Sequence, residues 1–410
     1  MLQVSYVIIS LPQVPGCRSG ETLTNKLRIL VITSQLPIAG EPTRGRAVYQ
    51  TLRELATLAD LTVISPVAIY PRRGLPRSYL YQEPDDTFQP PGLAIRYVRY
   101  RVLPGISRPI NGYLCGIALS RAVRDAQFDL VLSYWLYPDA FGAWRWAKSH
   151  CLPLVAGSRG SDLKVRDFVS KVLTKRLVMH ADRLLTVSRD LAQVAVNEYG
   201  AKFTHTAVIP NGCDTSIFHP GSRSEARAGL GLAPVGPVVL FVGRLVREKG
   251  LLELLHAANL LGGAGTRLQL VLVGDGPLRS DLEKLARELG VDVLFTGALL
   301  PQDVARWLLA ADVVTLPSYS EGHPNAVVEA LACGRPVVAT PVGGVAEIAD
   351  PASMVLVKAR DAESLASGLD AALNKSWDER KIAGLYGRSW SEVAADTYFQ
   401  CELAVRDATL

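Results

Sequence analysis

Short apolar runs rich in β-branched residues alternate with longer amphipathic segments from Leu27 onward. Strands buried on both faces read as continuous apolar runs, and their alternation with helical stretches indicates parallel βαβ units. The first half of the chain is therefore predicted to form a doubly wound parallel sheet. Its predicted strands are LRILVIT (27–33), LTVISPV (61–67), FDLVLSYW (128–135), LPLVAGS (152–158), DRLLTVS (182–188) and TAVIP (206–210).

A stretch dense in proline and turn-forming residues, 209–222, separates this series from a second one. The pattern predicts an α/β fold of two Rossmann-like domains in tandem, with parallel sheets facing an interdomain cleft. Ligands bind at the carboxyl ends of strands in such sheets, so the cleft is the expected site. The second series is PVVLFVG (237–243), RLQLVLVG (267–274), DVLFTG (292–297), DVVTLPS (312–318), RPVVATPVGG (335–344) and SMVLVK (353–358).

The predicted organisation has four parts. Residues 27–210 form the N-terminal domain, residues 211–385 form the C-terminal domain, and residues 386–410 form a helix expected to cross back to the N-terminal domain. Residues 1–26 are expected to be a disordered leader or an upstream start. Their apolar piece, 4–11, has no basic residue before it and no clean cleavage site after it, which disfavours a signal peptide.

Charge is distributed unevenly along the chain. Residues 1–210 carry 26 Lys and Arg against 15 Asp and Glu, whereas residues 211–410 carry 18 against 24. A basic N-terminal half suits an anionic partner such as a phosphate-bearing acceptor, a bilayer surface or nucleic acid, or it is simply solvated surface. The six cysteines show no C-x-x-C spacing, which disfavours structural zinc and favours a reduced, cytoplasmic setting. No apolar run reaches the roughly 18 residues of a membrane span, so any membrane contact is expected to be peripheral.

The loop after the predicted strand 237–243 carries two cations. Arg244 follows Gly243 directly, and Lys249 comes just before Gly250 and a predicted helix. The two cations are positioned to converge on an anion and would neutralise a diphosphate leaving group as its bond to a sugar breaks. Basic residues near turns are also common on surfaces, so this loop alone leaves the assignment open.

A helix is predicted over about 324–333, directly after the strand that ends at 318. Pro324 suits its first turn, and its N-terminus is expected to point into the cleft. The backbone amides of Asn325, Ala326 and Val327, together with the helix dipole, would then face phosphate oxygens.

Glu321 lies just before this helix, and Glu329 lies in it. Carboxylates accept hydrogen bonds from vicinal hydroxyls, so one could hold a sugar and the other a ribose. Glu321 could instead be an acidic residue favoured near a helix start, and Glu329 could lie on a solvated face. The neighbours of Glu329 are apolar nearly all round, however, and a lone carboxylate there is costly, which favours a functional role.

Together these elements resemble the donor-binding motifs of retaining family 4 glycosyltransferases, which have the GT-B fold. The resemblance covers about residues 27–400 and is strongest with members that act in bacterial surface polysaccharide or teichuronic acid synthesis. The E-x7-E pattern with an upstream Arg and Lys is fairly specific, whereas VGDGP alone would be weak. The matching motifs are Gly243-Arg244 with Lys249-Gly250, VGDGP (273–277), EGHPNAVVE (321–329), ALACGRPVVAT (330–340), Gly343-Gly344 before Glu347, IPNG (209–212), Phe218 with Pro220, RGSD (159–162) and HADRLLTVS (180–188).

The resemblance implies that Arg244 and Lys249 bind the donor diphosphate, that Glu329 binds the ribose, and that Glu321 contacts the transferred sugar. Arg244, Lys249 and Glu321 would be the catalytic residues. The reaction would retain the anomeric configuration with no protein nucleophile, no cofactor and no metal, and the chain has no D-x-D pair to hold one. The implied donor site is completed by Gly243, Gly274, Gly276, Pro277, Gly322, His323, Asn325, Ala326 and Val327.

Residues of the N-terminal half are expected to face the same cleft from the acceptor side. The first loop would bring Arg44 and the Gly45 backbone to phosphate or acceptor. Many family members carry a histidine near the end of the strand 128–135, and its place here falls to Tyr134. Arg159 could lie near the phosphate and Asp162 could contact acceptor or sugar, but both could equally structure their own loop.

The expected partners are a UDP-, GDP- or ADP-sugar and a glycan or lipid-linked acceptor, and nucleic acid is not expected. An anionic membrane is a further candidate partner for the basic N-terminal domain, in the cytoplasm at the inner face of the plasma membrane. Two alternatives stay open: a nucleotide-sugar 2-epimerase, and a non-catalytic nucleotide-sugar-binding subunit, because the usual histidine is replaced. An oxidoreductase is disfavoured, since Arg279 stands where a dinucleotide-binding loop needs its third glycine.

Overall fold

The computed structural model describes residues 26–41, 43–71, 87–103, 106–123, 127–163, 167–233, 236–265 and 268–409. The predicted leader, apart from Lys26, lies outside the described residues. The chain forms two parallel sheets with helices on both faces, each with its own apolar core. The predicted fold class is therefore confirmed.

The N-terminal sheet has seven described strands in the order β3-β2-β1-β4-β5-β6-β7, all paired in parallel. The central strands are buried on both faces, which accounts for their continuous apolar sequence. The strands are β1 (Arg28–Ile32), β2 (Asp60–Ile69), β3 (Ile95–Arg101), β4 (Leu130–Tyr134), β5 (Leu154–Gly157), β6 (Arg183–Thr186) and β7 (Thr206–Val208).

Five helices connect these strands. Two of them begin at side-chain caps: Asp167 accepts from the Ser170 amide, and Ser188 accepts from the Leu191 amide. Such caps satisfy backbone donors that the helix leaves unpaired. The helices are α1 (Arg46–Leu58), α2 (Asn111–Ala122), α3 (Phe141–Ser149), α4 (Phe168–His180) and α5 (Arg189–Tyr199).

The C-terminal sheet has six described strands in the order β10-β9-β8-β11-β12-β13, again parallel. They are β8 (Val238–Val242), β9 (Gln269–Val273), β10 (Val293–Gly297), β11 (Val313–Leu316), β12 (Val337–Ala339) and β13 (Met354–Leu356). The helices of this half are α6 (Arg223–Gly229), α7 (Leu251–Gly263), α8 (Arg279–Leu289), α9 (Pro301–Ala310), α10 (Asn325–Ala332), α11 (Val345–Ile348), α12 (Ala362–Asn374) and α13 (Glu379–Gly384).

The last helix, α14 (Trp390–Thr409), lies against the N-terminal domain. Its apolar side chains share a core with residues of α1, β1 and β4, and Arg183 of β6 forms an ion pair with Asp407. The chain passes between the domains twice, near Pro210 and near Arg388, and these two segments bond each other. The Cys213 amide donates to the Arg388 carbonyl, and the Arg388 side chain donates to the Pro210 carbonyl. No helix in the described ranges combines the length and apolar character needed to cross a bilayer.

Candidate functional site

The carboxyl ends of the two sheets face one another across a cleft, and contacts between described residues of both halves bridge it. A Cβ atom on Gly322 would lie 2.5 Å from the Arg159 carbonyl oxygen, so the backbones touch there. Arg46 at the start of α1 reaches Glu329 on α10. The Asp190 amide of α5 donates to a carboxylate oxygen of Glu347 at 3.1 Å. Loops from both domains thus close on a common space.

Two glycine-rich loops lie against each other on the C-terminal side of the cleft. A Cβ atom on Gly274 would lie 1.9 Å from the Gly243 carbonyl oxygen, and one on Gly276 would lie 2.4 Å from the Leu245 carbonyl oxygen. Glycine is therefore required at both positions for the loops to meet. The structure gives Gly274 and Gly276 this packing role, and it places the exposed Pro277 on the same turn.

The cationic loop meets Glu321 directly. The Lys249 Nζ atom lies 2.6 Å from a Glu321 carboxylate oxygen, and both side chains are largely buried. Arg244 stands on the same loop and is exposed, directly after Gly243. A charge-assisted bond of this length holds the ammonium group of Lys249 beside the mouth of α10. The structure thus brings together Lys249 and Glu321, two of the three residues predicted to be catalytic.

Helix α10 begins one residue later than predicted, at Asn325, and two of its first amides are already used. The Asn325 amide donates to the His323 carbonyl at 3.1 Å, and the Val327 amide donates to the Pro324 carbonyl at 3.0 Å. The tight turn around Pro324 closes these bonds. The expectation that Asn325 and Val327 present unpaired amides is therefore wrong. Ala326 lies between them on the first turn.

His323 belongs to a polar network at the domain junction. Its ring lies 3.4 Å from the Asn325 side-chain oxygen and 3.3 Å from the Tyr386 hydroxyl. The Asn211 side chain donates to the same Asn325 oxygen, and the Tyr386 hydroxyl donates to the Asn211 carbonyl. Burial lowers the pKa of His323 to about 4, so the ring is neutral at pH 7.

Glu329 is a second largely buried carboxylate of the site. One of its oxygens lies 3.1 Å from an Arg46 guanidinium nitrogen, and that guanidinium also lies over the Phe218 ring. Burial raises the pKa of Glu329 to about 7, although Arg46 opposes the rise. Because Arg46 comes from the N-terminal domain, this ion pair joins α10 to the N-terminal domain.

Asp162 structures its own loop, which is the second of the two interpretations left open for it. The Arg159 side chain extends to Asn211, and its place near a phosphate stays a prediction. Asp162 is buried and accepts from the Ser158 hydroxyl and from the Arg159, Gly160 and Leu136 amides. The Arg159 guanidinium donates to Asn211, and burial lowers its pKa. Asp162 accepts from three donors of its own loop and from the Leu136 amide, so its carboxylate has little left to offer an acceptor and the structure does not favour a contact role for it.

Tyr134 faces away from the cleft. Residues of β4 alternate between faces, and Tyr134 shares the core beneath α14 with Leu130 and Leu132. Its hydroxyl bonds Thr397, and its ring lies 4.5 Å from the Arg159 guanidinium. The side chain that stands in the place of the family histidine is thus part of the packing under α14.

The loop between β1 and α1 forms the N-terminal wall. Gly45 has a φ of 58° and caps α1, and a Cβ atom there would meet the Gln35 carbonyl oxygen at 2.2 Å. Asp139, which the sequence reasoning missed, is buried and accepts from the Ser34 amide at 2.6 Å. Burial raises the pKa of Asp139 to about 7, and the nearby Arg44 lowers it. Asp139 therefore anchors the loop that carries Arg44.

Changing Glu329 to glutamine is expected to weaken donor binding by about 1–3 kcal/mol, because the amide is a poorer acceptor than a carboxylate in a largely buried site. The pKa of about 7 gives this effect a pH dependence. The carboxylate form increases as the pH rises from 6 to 8, so wild-type donor affinity should rise over that range. Calorimetric titration of donor at several pH values measures both effects.

The matched variant for this test is Arg46→Ala. Arg46 lowers the pKa of Glu329, so its removal should shift the affinity profile to higher pH, whereas Glu329→Gln should flatten the profile. Donor affinity that is unchanged by Glu329→Gln at pH 8 would remove this residue from the donor site.

The chain has two parallel Rossmann-like sheets that face each other across a cleft, and a Lys–Glu pair and a helix start lie on one side of it. This arrangement defines a glycosyltransferase of the GT-B class. The sequence comparisons agree for both halves of the chain. Residues 45–217 match the description Glycosyltransferase Family 4, and residues 236–375 match Glycosyl transferases group 1.

Relatives of the whole chain carry the same assignment. The chain is 32% identical over 355 residues to TuaC of Bacillus subtilis, named as a teichuronic acid biosynthesis glycosyltransferase, with 84% of this chain and 88% of that protein covered. It is 31% identical over 335 residues to D-inositol 3-phosphate glycosyltransferase of Nocardia farcinica, with 74% of each covered. The chain therefore belongs to glycosyltransferase family 4.

Solved structures share the fold. Sucrose-phosphate synthase from Thermosynechococcus elongatus superposes with a TM-score of 0.70 at 24% identity, over 93% of this chain and 97% of that one. HepE from Anabaena, solved in complex with UDP-glucose, superposes with a TM-score of 0.64 at 19% identity, over 93% and 98%. In the part of this chain that the structure describes, no group of three or more His, Cys, Asp and Glu side chains is arranged to hold a metal ion.

Proposed function

We propose that the protein moves a sugar from a nucleotide-sugar donor to a glycan or lipid-linked acceptor, with retention of configuration and without a metal ion. The observation that carries the proposal is the Lys249–Glu321 pair at the mouth of α10, with Glu329 about one turn into the helix. The cation suits a diphosphate, the carboxylate beside it suits a sugar, and the second carboxylate in the cleft suits a ribose.

The proposed mechanism is electrostatic. Lys249 and Arg244 stabilise the diphosphate as its bond to the anomeric carbon breaks, and they supply the positive charge that a metal would otherwise provide. Glu321 accepts hydrogen bonds from the transferred sugar, and Glu329 accepts them from the ribose. The acceptor hydroxyl attacks the face from which the diphosphate leaves and gives its proton to the departing phosphate oxygen, so no protein nucleophile takes part.

The relatives guide the choice of substrates. HepE was solved with UDP-glucose, which makes a UDP-sugar the first donor to test, ahead of GDP- and ADP-sugars. TuaC is named for teichuronic acid biosynthesis, which supports a surface polysaccharide or a lipid-linked precursor as the acceptor. Such an acceptor places the enzyme in the cytoplasm at the inner face of the plasma membrane, and its N-terminal domain is the candidate for the membrane contact.

A donor screen tests the proposal. One of the UDP-, GDP- or ADP-sugars is expected to raise the melting temperature, because a ligand that binds only the folded state stabilises it. With that donor, slow hydrolysis should persist after treatment with EDTA. The anomeric configuration of the glycoside formed with an acceptor is then read by NMR. Donor turnover that requires added metal would contradict the metal-independent part, and an inverted product would contradict retention. Epimerised nucleotide sugar in the absence of acceptor would favour an epimerase instead.

A further inference from the structure

Helix α4 presents an unusual exposed face. Phe168 is 81% exposed, and Val169, Val172 and Met179 are also exposed, whereas the opposite face of the helix packs into the core. The spacing of Phe168, Val172 and Met179 brings them onto one side of the helix. Large apolar side chains clustered in this way on a surface indicate an interaction site.

A second apolar element lies beside the start of α4. Ile106, 78% exposed, and Ile110, 51% exposed, belong to the turn that leads into α2. The Arg108 side chain in this turn bonds Asp167, the residue that caps α4, at 3.0 Å. Phe168 follows Asp167 directly, so the two elements form one patch, which we call the α2–α4 patch: Ile106, Ile110, Phe168, Val169 and Val172.

The α2–α4 patch lies at the carboxyl ends of the strands, as the cleft does. The Tyr137 hydroxyl donates to the Arg108 carbonyl at 2.7 Å, and Tyr137 belongs to the turn that directly follows β4. That turn also carries Asp139, which anchors the loop lining the cleft. A surface that lies against this patch would therefore be next to the N-terminal side of the site.

Cations accompany the apolar side chains. Residues 168–180 contain Lys171, Lys175 and Arg176 and no carboxylate, and all three cations are exposed. The neighbouring acidic residues are engaged in ion pairs, Asp167 with Arg108 and Glu198 with Lys171. An exposed helix face that carries protruding apolar groups between cations, and whose own residues 168–180 include no carboxylate, is complementary to an anionic lipid surface.

We propose that the α2–α4 patch docks the enzyme on an anionic phospholipid bilayer. Phe168 and Ile106 protrude, and fluid lipid accommodates protruding groups without a shaped pocket, which a protein partner would have to supply. The flanking cations match lipid phosphates. The purpose of docking rests on the proposed function, because a membrane at this edge presents a lipid-linked acceptor to the cleft. Vesicle binding and sugar transfer are separate measurements, so either proposal can fail alone.

Sedimentation with vesicles tests the apolar part. The full chain is expected to bind vesicles of phosphatidylglycerol and phosphatidylcholine and to bind pure phosphatidylcholine much more weakly. The double variant Phe168→Asp/Ile106→Asp should lose at least tenfold in affinity. The matched control is Phe203→Asp. Phe203 is 80% exposed, but it precedes β7 and therefore lies at the amino ends of the strands, away from the cleft. Equal loss in both variants, or no binding by the wild type, would overturn the proposal.

Charge reversal tests the electrostatic part. Lys175→Glu/Arg176→Glu should weaken binding to the anionic vesicles, whereas Arg380→Glu/Lys381→Glu, an exposed adjacent pair on α13, should not. Donor hydrolysis, which needs no membrane, should be unchanged by Phe168→Asp/Ile106→Asp, and the melting temperature of that variant reports correct folding. If the wild type forms a dimer that this variant dissociates, and vesicle binding is unaffected, the patch is a protein interface and the inference is wrong.

Discussion

Replacing Lys249 by alanine is expected to lower turnover by on the order of 10²–10³-fold, since removal of one group that stabilises developing charge in an active site has an effect of that size. The ammonium group lies 2.6 Å from Glu321 at the mouth of α10, on the loop proposed to hold the diphosphate. Its loss removes positive charge where the leaving group becomes anionic. Turnover of the donor identified by the thermal screen measures the effect, and Arg244→Ala should act in the same direction.

The control lies on the same loop. Arg247 is exposed and stands two residues before Lys249, so Arg247→Ala removes a cation of the loop without touching Glu321. Its turnover should stay close to that of the wild type. Lys249→Ala should also keep its fold, because the side chain lies in the cleft rather than in the apolar core. A general unfolding of Lys249→Ala, or an equal loss in Arg247→Ala, would contradict the assignment.

The strands could be predicted because a parallel sheet buried on both faces leaves a continuous apolar run in the sequence. Each run of the C-terminal half coincides with a strand from β8 to β13. The exception is β3, IRYVRYR, which no predicted run covered. It is an edge strand with exposed Arg96, Arg99 and Arg101, so it lacks the continuous apolar character that identified the others.

The donor side of the site could be predicted from short motifs, since Lys249 and Glu321 follow strands of one sheet. Contacts between the domains could not be predicted in this way. Arg46 and Glu329 are 283 positions apart, and no local pattern pairs them. The apolar surroundings of Glu329 did signal that a buried carboxylate needs a partner, but they carried no information about which residue supplies it.

The acceptor side was the harder part to predict, because a loop motif does not show which way its side chains point. RGSD suggested contact residues, yet the Asp162 side chain satisfies donors of its own turn. Tyr134 was placed correctly at the end of a strand, but whether it faces the cleft or α14 depends on the register of β4 within the sheet. That register is set by tertiary pairing.

Changing Gly322 to alanine is expected to lower turnover on the order of 10²-fold, the loss that a misplacement of about 1 Å can cause. The new Cβ atom would lie 2.5 Å from the Arg159 carbonyl oxygen and near Gly160, both in the other domain. The backbone cannot give way as a side-chain tip could, so the domains must move apart. The proposed donor groups on the C-terminal side would then no longer meet the N-terminal wall at the correct distance.

Stability should change little, because the clash lies between the domains and not within either core. Gly384→Ala is the matched control, since no neighbouring heavy atom lies within 4 Å of the added Cβ. Small-angle scattering should show a larger radius of gyration for Gly322→Ala only, and turnover should fall only there. Full activity in Gly322→Ala would mean that transfer does not need the backbone contact between the RGSD loop and the loop before α10. The role of the cleft closure would then have to be assigned to the Arg46–Glu329 and Asp190–Glu347 contacts.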